Sequence, residues 1–214
     1  MLQIKSFVFN PLQENTYVLF DETGECVIID PGCYTEAERQ ELTSFITSQG
    51  LTVRLLLNTH CHVDHVLGNR FVKERYNVLL HIHPLDEATL KAVEIYAPHY
   101  GFYQYQGTTA DQFLQEETDI LFGRTALRVL FVPGHAPGHV AFYAAREKIA
   151  VSGDVLFYNS VGRTDLPGGN FETLLHSIHR QLFTLPDDVT VYPGHGPETS
   201  IGFEKRTNPF CALP

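Results

Sequence analysis

Hydrophobic and polar positions alternate over the first thirty residues in three short runs, 2–9, 15–20 and 25–30. They are split by Asn10-Pro11 and by Asp21-Glu22-Thr23-Gly24, so this stretch predicts a β-meander. The period then changes. Thr35 with Glu38 forms a capping box, Leu42, Phe45 and Ile46 make an apolar stripe, and Gly50 stops it, which predicts a helix over about 35–49. Residues 53–58, VRLLLN, are a near-continuous apolar run, the mark of a strand buried on both faces. A helix over 66–76 and a strand over 78–82 follow. The second half repeats the grammar, with strands at 126–132, 140–145 and 148–153. A helix at 171–182 carries Leu174, Leu175, Ile178 and Leu182 on one face, and a strand at 189–193 leads into a short last helix.

Strands and helices in both halves, with no linker or low-complexity tract, predict an α/β chain of two face-to-face sheets with helices outside, a single domain over 1–214. One stretch breaks the pattern. Residues 93–118 are dense in Tyr and Phe without clean periodicity. They are open to three readings: satellite core, subunit contact, or a lid over a pocket.

Charge narrows the function classes. Fifteen Lys and Arg against 25 Asp and Glu give a formal net charge of −10, which disfavours nucleic acid and an anionic membrane surface as partners. The N-terminal residues show strand alternation in place of a leader pattern. The four cysteines, Cys26, Cys33, Cys61 and Cys211, include no CxxC pair, so reduced thiols in a cytoplasmic protein are expected.

The chemistry lies in the histidines, of which there are 11. His60-Cys61-His62-Val63-Asp64-His65 directly follows the buried strand at 53–58. His60 and His62 are two apart in an extended loop and can converge on one cation, while Asp64 and His65 can face a second. Three further pieces sit at strand ends beside glycine or proline: Pro133-Gly134-His135, Ser152-Gly153-Asp154 and Pro193-Gly194-His195-Gly196. Glycine lets backbone approach a crowded centre, and a strand end gives the side chain a rigid base. Five histidines and two aspartates are enough for two metals. Imidazole and carboxylate without thiolate suit zinc, iron or manganese; zinc is expected first. Cys61 points away from its neighbours in an extended loop and is left out.

The HxHxDH string followed by PGH, GD and PGHG resembles the metallo-β-lactamase superfamily across nearly the whole chain. Gly162-Arg163-Thr164-Asp165-Leu166-Pro167-Gly168-Gly169 is similar to the compact glyoxalase II branch, the hydroxyacylglutathione hydrolases. The resemblance implies an αβ/βα four-layer sandwich with the site in loops at one edge. It implies that His60, His62 and His135 hold one metal, that Asp64, His65 and His195 hold the other, and that Asp154 bridges them. His139 then reads as a hydrogen-bonding residue behind the ligands. Asp64 and Asp154 become catalytic through the metals, with a metal-bridging hydroxide as nucleophile.

That reading predicts a hydrolase of small-molecule thioesters, S-lactoylglutathione among them, whose thiol leaves with a pKa near about 8.5. Full-length glyoxalase II enzymes carry a C-terminal helical glutathione-binding region, and here only 19 residues follow His195. Candidate substrate contacts are therefore Arg163, Lys205 and Arg206, with Tyr100 and Tyr103 from the aromatic stretch. Two other readings remain: a mononuclear iron persulfide dioxygenase with similar motifs, and a metal-binding module without catalysis.

Overall fold

The N-terminal meander is present in the computed structural model, which describes residues 1–213, as β1 (Gln3–Phe9), β2 (Glu14–Phe20) and β3 (Glu25–Ile29), paired antiparallel. Helix α1 (Glu36–Ser48) starts at the expected capping box: the Thr35 hydroxyl accepts from Glu38 N, and the Glu38 carboxylate accepts from Thr35 N. It leads into β4 (Thr52–Leu57), which lies parallel to β3. Beyond it, β5 (Leu80–Ile82) and β6 (Gln112–Phe113) continue in parallel, closing a six-stranded sheet in the order β1 to β6. This is a mixed sheet, antiparallel at its N-terminal edge.

Two departures from the sequence reading have local causes. The helix expected over 66–76 is two helices, α2 (Val63–Val66) and α3 (Asn69–Tyr76). Between them Gly68 donates its N–H to Pro31 O at 2.7 Å, and a Cβ there would stand 2.5 Å from Cys33 Sγ. That close approach fixes the break and lets α2 begin inside the histidine motif. The second departure is a helix missed before the aromatic stretch, α4 (Glu87–Tyr96), seated on buried Leu90 and Val93. The stretch itself splits by residue. Ala97, Phe102 and Leu114 are buried and Tyr105 packs on the core, whereas Tyr100 and Tyr103 are exposed.

The second sheet is built from β7 (Asp119–Phe122), β8 (Thr125–Phe131), β9 (Val140–Ala144), β10 (Ile149–Gly153), β13 (Thr190–Pro193) and β14 (Thr199–Ser200). Its order is β14-β13-β10-β9-β8-β7, with β10 and β13 parallel. A small hairpin, β11 (Leu156–Phe157) and β12 (Ser160–Val161), follows β10. Helix α5 (Phe171–Ser177) is capped by Asn170 and widens into a π-type turn over Ile178–Leu182; α6 (Ile201–Thr207) is capped by Ser200. The chain forms two compact units, residues 1–114 with 121–125, and residues 115–120 with 126 onward. Each has its own core: Val18, Ile28, Leu56 and Leu80 lie in the first, Leu130, Ala150, Leu174 and Val191 in the second. Among the described residues no helix is long and apolar enough to cross a membrane.

Candidate metal centre

In the first unit the histidine motif hangs from the C-terminal end of β4. Asp30, at the end of β3 with φ of 50°, organises it. One Asp30 oxygen accepts from Thr59 N at 2.7 Å and Asn58 Nδ2 at 3.2 Å; the other accepts from Thr59 Oγ1 at 2.5 Å and faces His65 Nδ1 at 3.1 Å. The Thr59 hydroxyl has one proton and gives it to Asp30. It can only accept from His60 Nδ1, 3.1 Å away. A carboxylate likewise accepts from His65 Nδ1. Both imidazoles therefore carry their proton on Nδ1 and present an Nε2 lone pair, the form a metal needs.

The rings are gathered. His60 lies 4.7 Å from His62 and 4.1 Å from His65 between centroids. Ligand atoms of Asp30, His60 and His65 all lie within 4.8 Å of one another. His62 sits at the N-cap of α2 in an extended conformation, so Asp64 and His65 fall in its first turn. Asn10 Nδ2 braces this turn, donating to Asp64 O at 3.2 Å and to Gly32 O at 3.1 Å. Behind His65 stands Glu14, fully buried, with Oε1 4.0 Å from His65 Nδ1 and Oε2 accepting from Thr16 Oγ1 at 2.9 Å. Burial pushes the Glu14 carboxyl well above the usual carboxylate range, although His65 pulls it down. Cys61 is buried in the apolar core and its backbone N–H donates to Asp86 Oδ2 at 2.7 Å. Its thiol is pushed up by burial and by Asp86.

The second unit has donors of its own. Asp154 follows β10, and its Oδ2 lies 3.5 Å from His135 Nε2 and 3.5 Å from His195 Nε2. One carboxylate oxygen thus faces two imidazoles, the arrangement expected of a carboxylate shared by two cations. His135 Nδ1 donates to Arg163 O at 2.7 Å, which leaves its Nε2 lone pair toward Asp154. His139 is different: its Nε2 accepts from Asp154 N at 3.0 Å, so that lone pair is committed to holding the loop. The turn is tight, since a Cβ on Gly162 would stand 1.9 Å from Asp154 O and 3.2 Å from His135 Nδ1.

The donor chemistry of each unit fits divalent metals: imidazole Nε2 lone pairs set by hydrogen bonds on the far nitrogen, with carboxylates to balance charge. The candidate substrate cations are occupied within their own unit. Arg163 makes a two-pronged pair with Asp165, 2.7 Å on each arm, and holds that carboxyl down at about 2. Lys205 binds Asp187 and Leu185 O, and Arg206 reaches Asp187 at 3.4 Å. Tyr100 packs near Tyr96, and Tyr103 lines a cleft beside α1. Of the remaining histidines, His81 Nδ1 faces Leu79 O and His179 Nε2 faces Cys211 O.

Sequence reasoning missed Asp30, Thr59, Asn58, Asn10 and Glu14. Asp30-Pro31-Gly32 did carry a signal, because it is an acid at a strand end beside Pro and Gly, the same grammar as Pro133-Gly134-His135. Glu14 and Thr59 carried none.

The profile of the Metallo-beta-lactamase superfamily matches residues 9–195. Hydroxyacylglutathione hydrolase GloC of Haemophilus influenzae is 36% identical, covering 98% of this chain and 98% of that one. The human mitochondrial persulfide dioxygenase ETHE1 is 35% identical over 92% of this chain and 71% of its own. Among solved structures, the BLEG-1 B3 metallo-beta-lactamase superposes with a TM-score of 0.89 at 36% identity, covering 99% of this chain and all of that one. TTHA1623 in a di-iron-bound form gives 0.84 at 38%, covering 96% and 99%.

Proposed function

Because the chain belongs to the metallo-β-lactamase superfamily, we propose that it is a binuclear metal-dependent hydrolase of small-molecule thioesters, of the hydroxyacylglutathione hydrolase type. In this reading His60, His62 and His135 hold one divalent metal, Asp64, His65 and His195 the other, and Asp154 serves both. The observation that carries it is the position of Asp154 Oδ2 between His135 Nε2 and His195 Nε2. A shared carboxylate calls for two cations, whereas a single iron needs one set of donors. Near-complete mutual coverage with GloC supports the same choice.

Divalent metals held there would lower the pKa of water from about 15.7 toward about 7 and polarise a carbonyl. The chain's own residues do the rest. Asp30, through Thr59 and directly, keeps His60 and His65 in the tautomer that offers Nε2. The Arg163 carbonyl does so for His135. His139 fixes the backbone that aims Asp154. A thiol with a pKa near about 8.5 departs without strong general-acid help, so no protein acid is required at the leaving group. Zinc is the proposed metal; the di-iron form of TTHA1623 makes iron its first competitor.

The second reading is an iron persulfide dioxygenase, favoured by the 35% identity to ETHE1. Metal analysis of protein purified without added metal, paired with two assays, separates them. Hydrolysis of S-lactoylglutathione without oxygen uptake, at two metals per chain, supports the hydrolase. Oxygen consumption with glutathione persulfide at one iron per chain overturns it.

A further inference from the structure

Glu204, in α6, is fully buried, and three donors converge on its carboxylate. Thr199 Oγ1 donates to Oε1 at 2.5 Å and Asn208 Nδ2 to Oε2 at 2.7 Å, while Asn159 N lies 3.2 Å from both oxygens. Burying an ionisable carboxyl is costly, and α6 is attached to the fold without it. Ile201 is buried in the second core, Gly202 N donates to Asp187 O at 2.9 Å, and Lys205 Nζ reaches Asp187 Oδ1 at 2.8 Å.

What the carboxylate secures is the turn Tyr158-Asn159 between β11 and β12, where Asn159 has φ of 53°. Asn208 Nδ2 also donates to Ser160 O at 3.0 Å, and the Tyr158 ring stacks on Phe203 of α6, 5.2 Å between centroids and 8° from parallel. The hairpin that carries this turn meets each proposed donor of the second unit. Its first strand starts two residues after Asp154, and Leu156 O accepts from Ser152 Oγ at 3.2 Å. The Phe157 ring stands edge-on to His195 at 6.4 Å. At the far end Gly162 N donates to Val155 O at 3.2 Å, and the next residue, Arg163, offers the carbonyl that accepts from His135 Nδ1.

We propose that Glu204 is a positioning residue of the metal centre: by holding the Tyr158-Asn159 turn it fixes the hairpin from which Asp154, His135 and His195 are aimed. Ligands grip a metal only as firmly as the groups behind them hold still. The inference rests on reading those three residues as metal ligands.

The test measures zinc affinity by chelator competition and the visible bands of the cobalt-substituted protein, which follow ligand geometry. Glu204→Ala removes the anchor, and Asn208→Ala takes its place if that variant does not fold. Ile201→Val loosens α6 in the core and leaves the turn alone, so it is the control, with every protein compared well below its Tm. The expected result is zinc binding weaker by about tenfold with shifted cobalt bands, and neither change in Ile201→Val. Wild-type values in either measurement overturn the proposal. So does an equal loss in Ile201→Val, which would leave Glu204 a role in stability alone. Wild-type protein that binds no zinc is a separate failure: it removes the metal reading, and this inference with it.

Discussion

A single hydroxyl decides how one of the histidines, His60, presents itself. Thr59 gives its proton to Asp30 and accepts from His60 Nδ1, so Thr59→Val, nearly the same shape, should fold normally. It should nevertheless bind metal roughly 10- to 100-fold more weakly, the usual cost of losing a hydrogen bond that orients a ligand. Competition with a chelator measures this; unchanged affinity would remove Thr59 from the site. Asp154→Asn should do more. The amide cannot balance two cations, so metal content should fall below one per chain by elemental analysis, while two retained metals would refute a shared carboxylate. At the thiols, burial pushes Cys26, Cys33 and Cys211 up to about 12 and pushes Cys61 well above its usual range. Thiolate is the reactive form. A chromogenic disulfide reagent at pH 8 should therefore titrate none of the four in native protein and all four after unfolding.

Strand ends and the turns after them carry the donors, and one of those turns, like the turn between β7 and β8 that carries no donor, depends on a single residue. Gly134 has φ of 129°, and a Cβ would meet Leu174 N at 2.3 Å, in the first turn of α5. Gly134→Ala should push α5 off the loop that holds His135, lowering both stability and metal content. The turn between β7 and β8 is tied down by Asp21, which accepts from Thr23 N, Thr23 Oγ1, Arg124 N and Thr125 Oγ1. Burial alone would raise this carboxyl, but the hydrogen bonds, those of Thr23 foremost, hold it at about 2. Because the folded pKa lies below the unfolded value near about 3.9, the ionised group stabilises above that value and loses its contribution as pH falls toward 2. The shift corresponds to roughly 2 kcal/mol. Asp21→Asn should thus cost about that at pH 7 in denaturant melts, and the gap to wild type should close between about pH 4 and pH 2. A gap independent of pH would show that the ionised form is not the source.

Metal should act on the stability of the chain as a whole. Ions that bind only the folded state stabilise it by mass action, about 2.7 kcal/mol at 100 times Kd, so chelation should lower Tm and zinc should restore it. Ligand imidazoles must be neutral to bind. The metal-dependent part of Tm should therefore disappear as pH falls through the histidine range, near about 6.5. A Tm indifferent to chelator at pH 7.5 would mean that the donors are not filled in the folded protein.

The sequence by itself determined the meander, the capped helix α1, the buried strand β4 and the string His60 to His65. These rest on local causes, namely period, caps and residue chemistry within a few positions. The seven proposed donors could be read from the sequence because ligand chemistry admits few residue types, four of them crowd into the string His60 to His65, and His135, Asp154 and His195 each sit beside a strand-ending glycine. The helix break at Gly68 was not legible, because it depends on Cys33 and Pro31, more than thirty residues away. For the same reason the roles of Asp30 and Glu14 were hidden. Their partners Thr59 and His65 lie 29 and 51 positions further on, and only the pairing of β2, β3 and β4 brings them together. The aromatic stretch shows the same division. Its lack of period was visible, but burial of Phe102 and exposure of Tyr103 were set by what α1 and α4 leave room for. Local sequence names the groups that can do chemistry; long-range contacts decide which nitrogen each histidine presents.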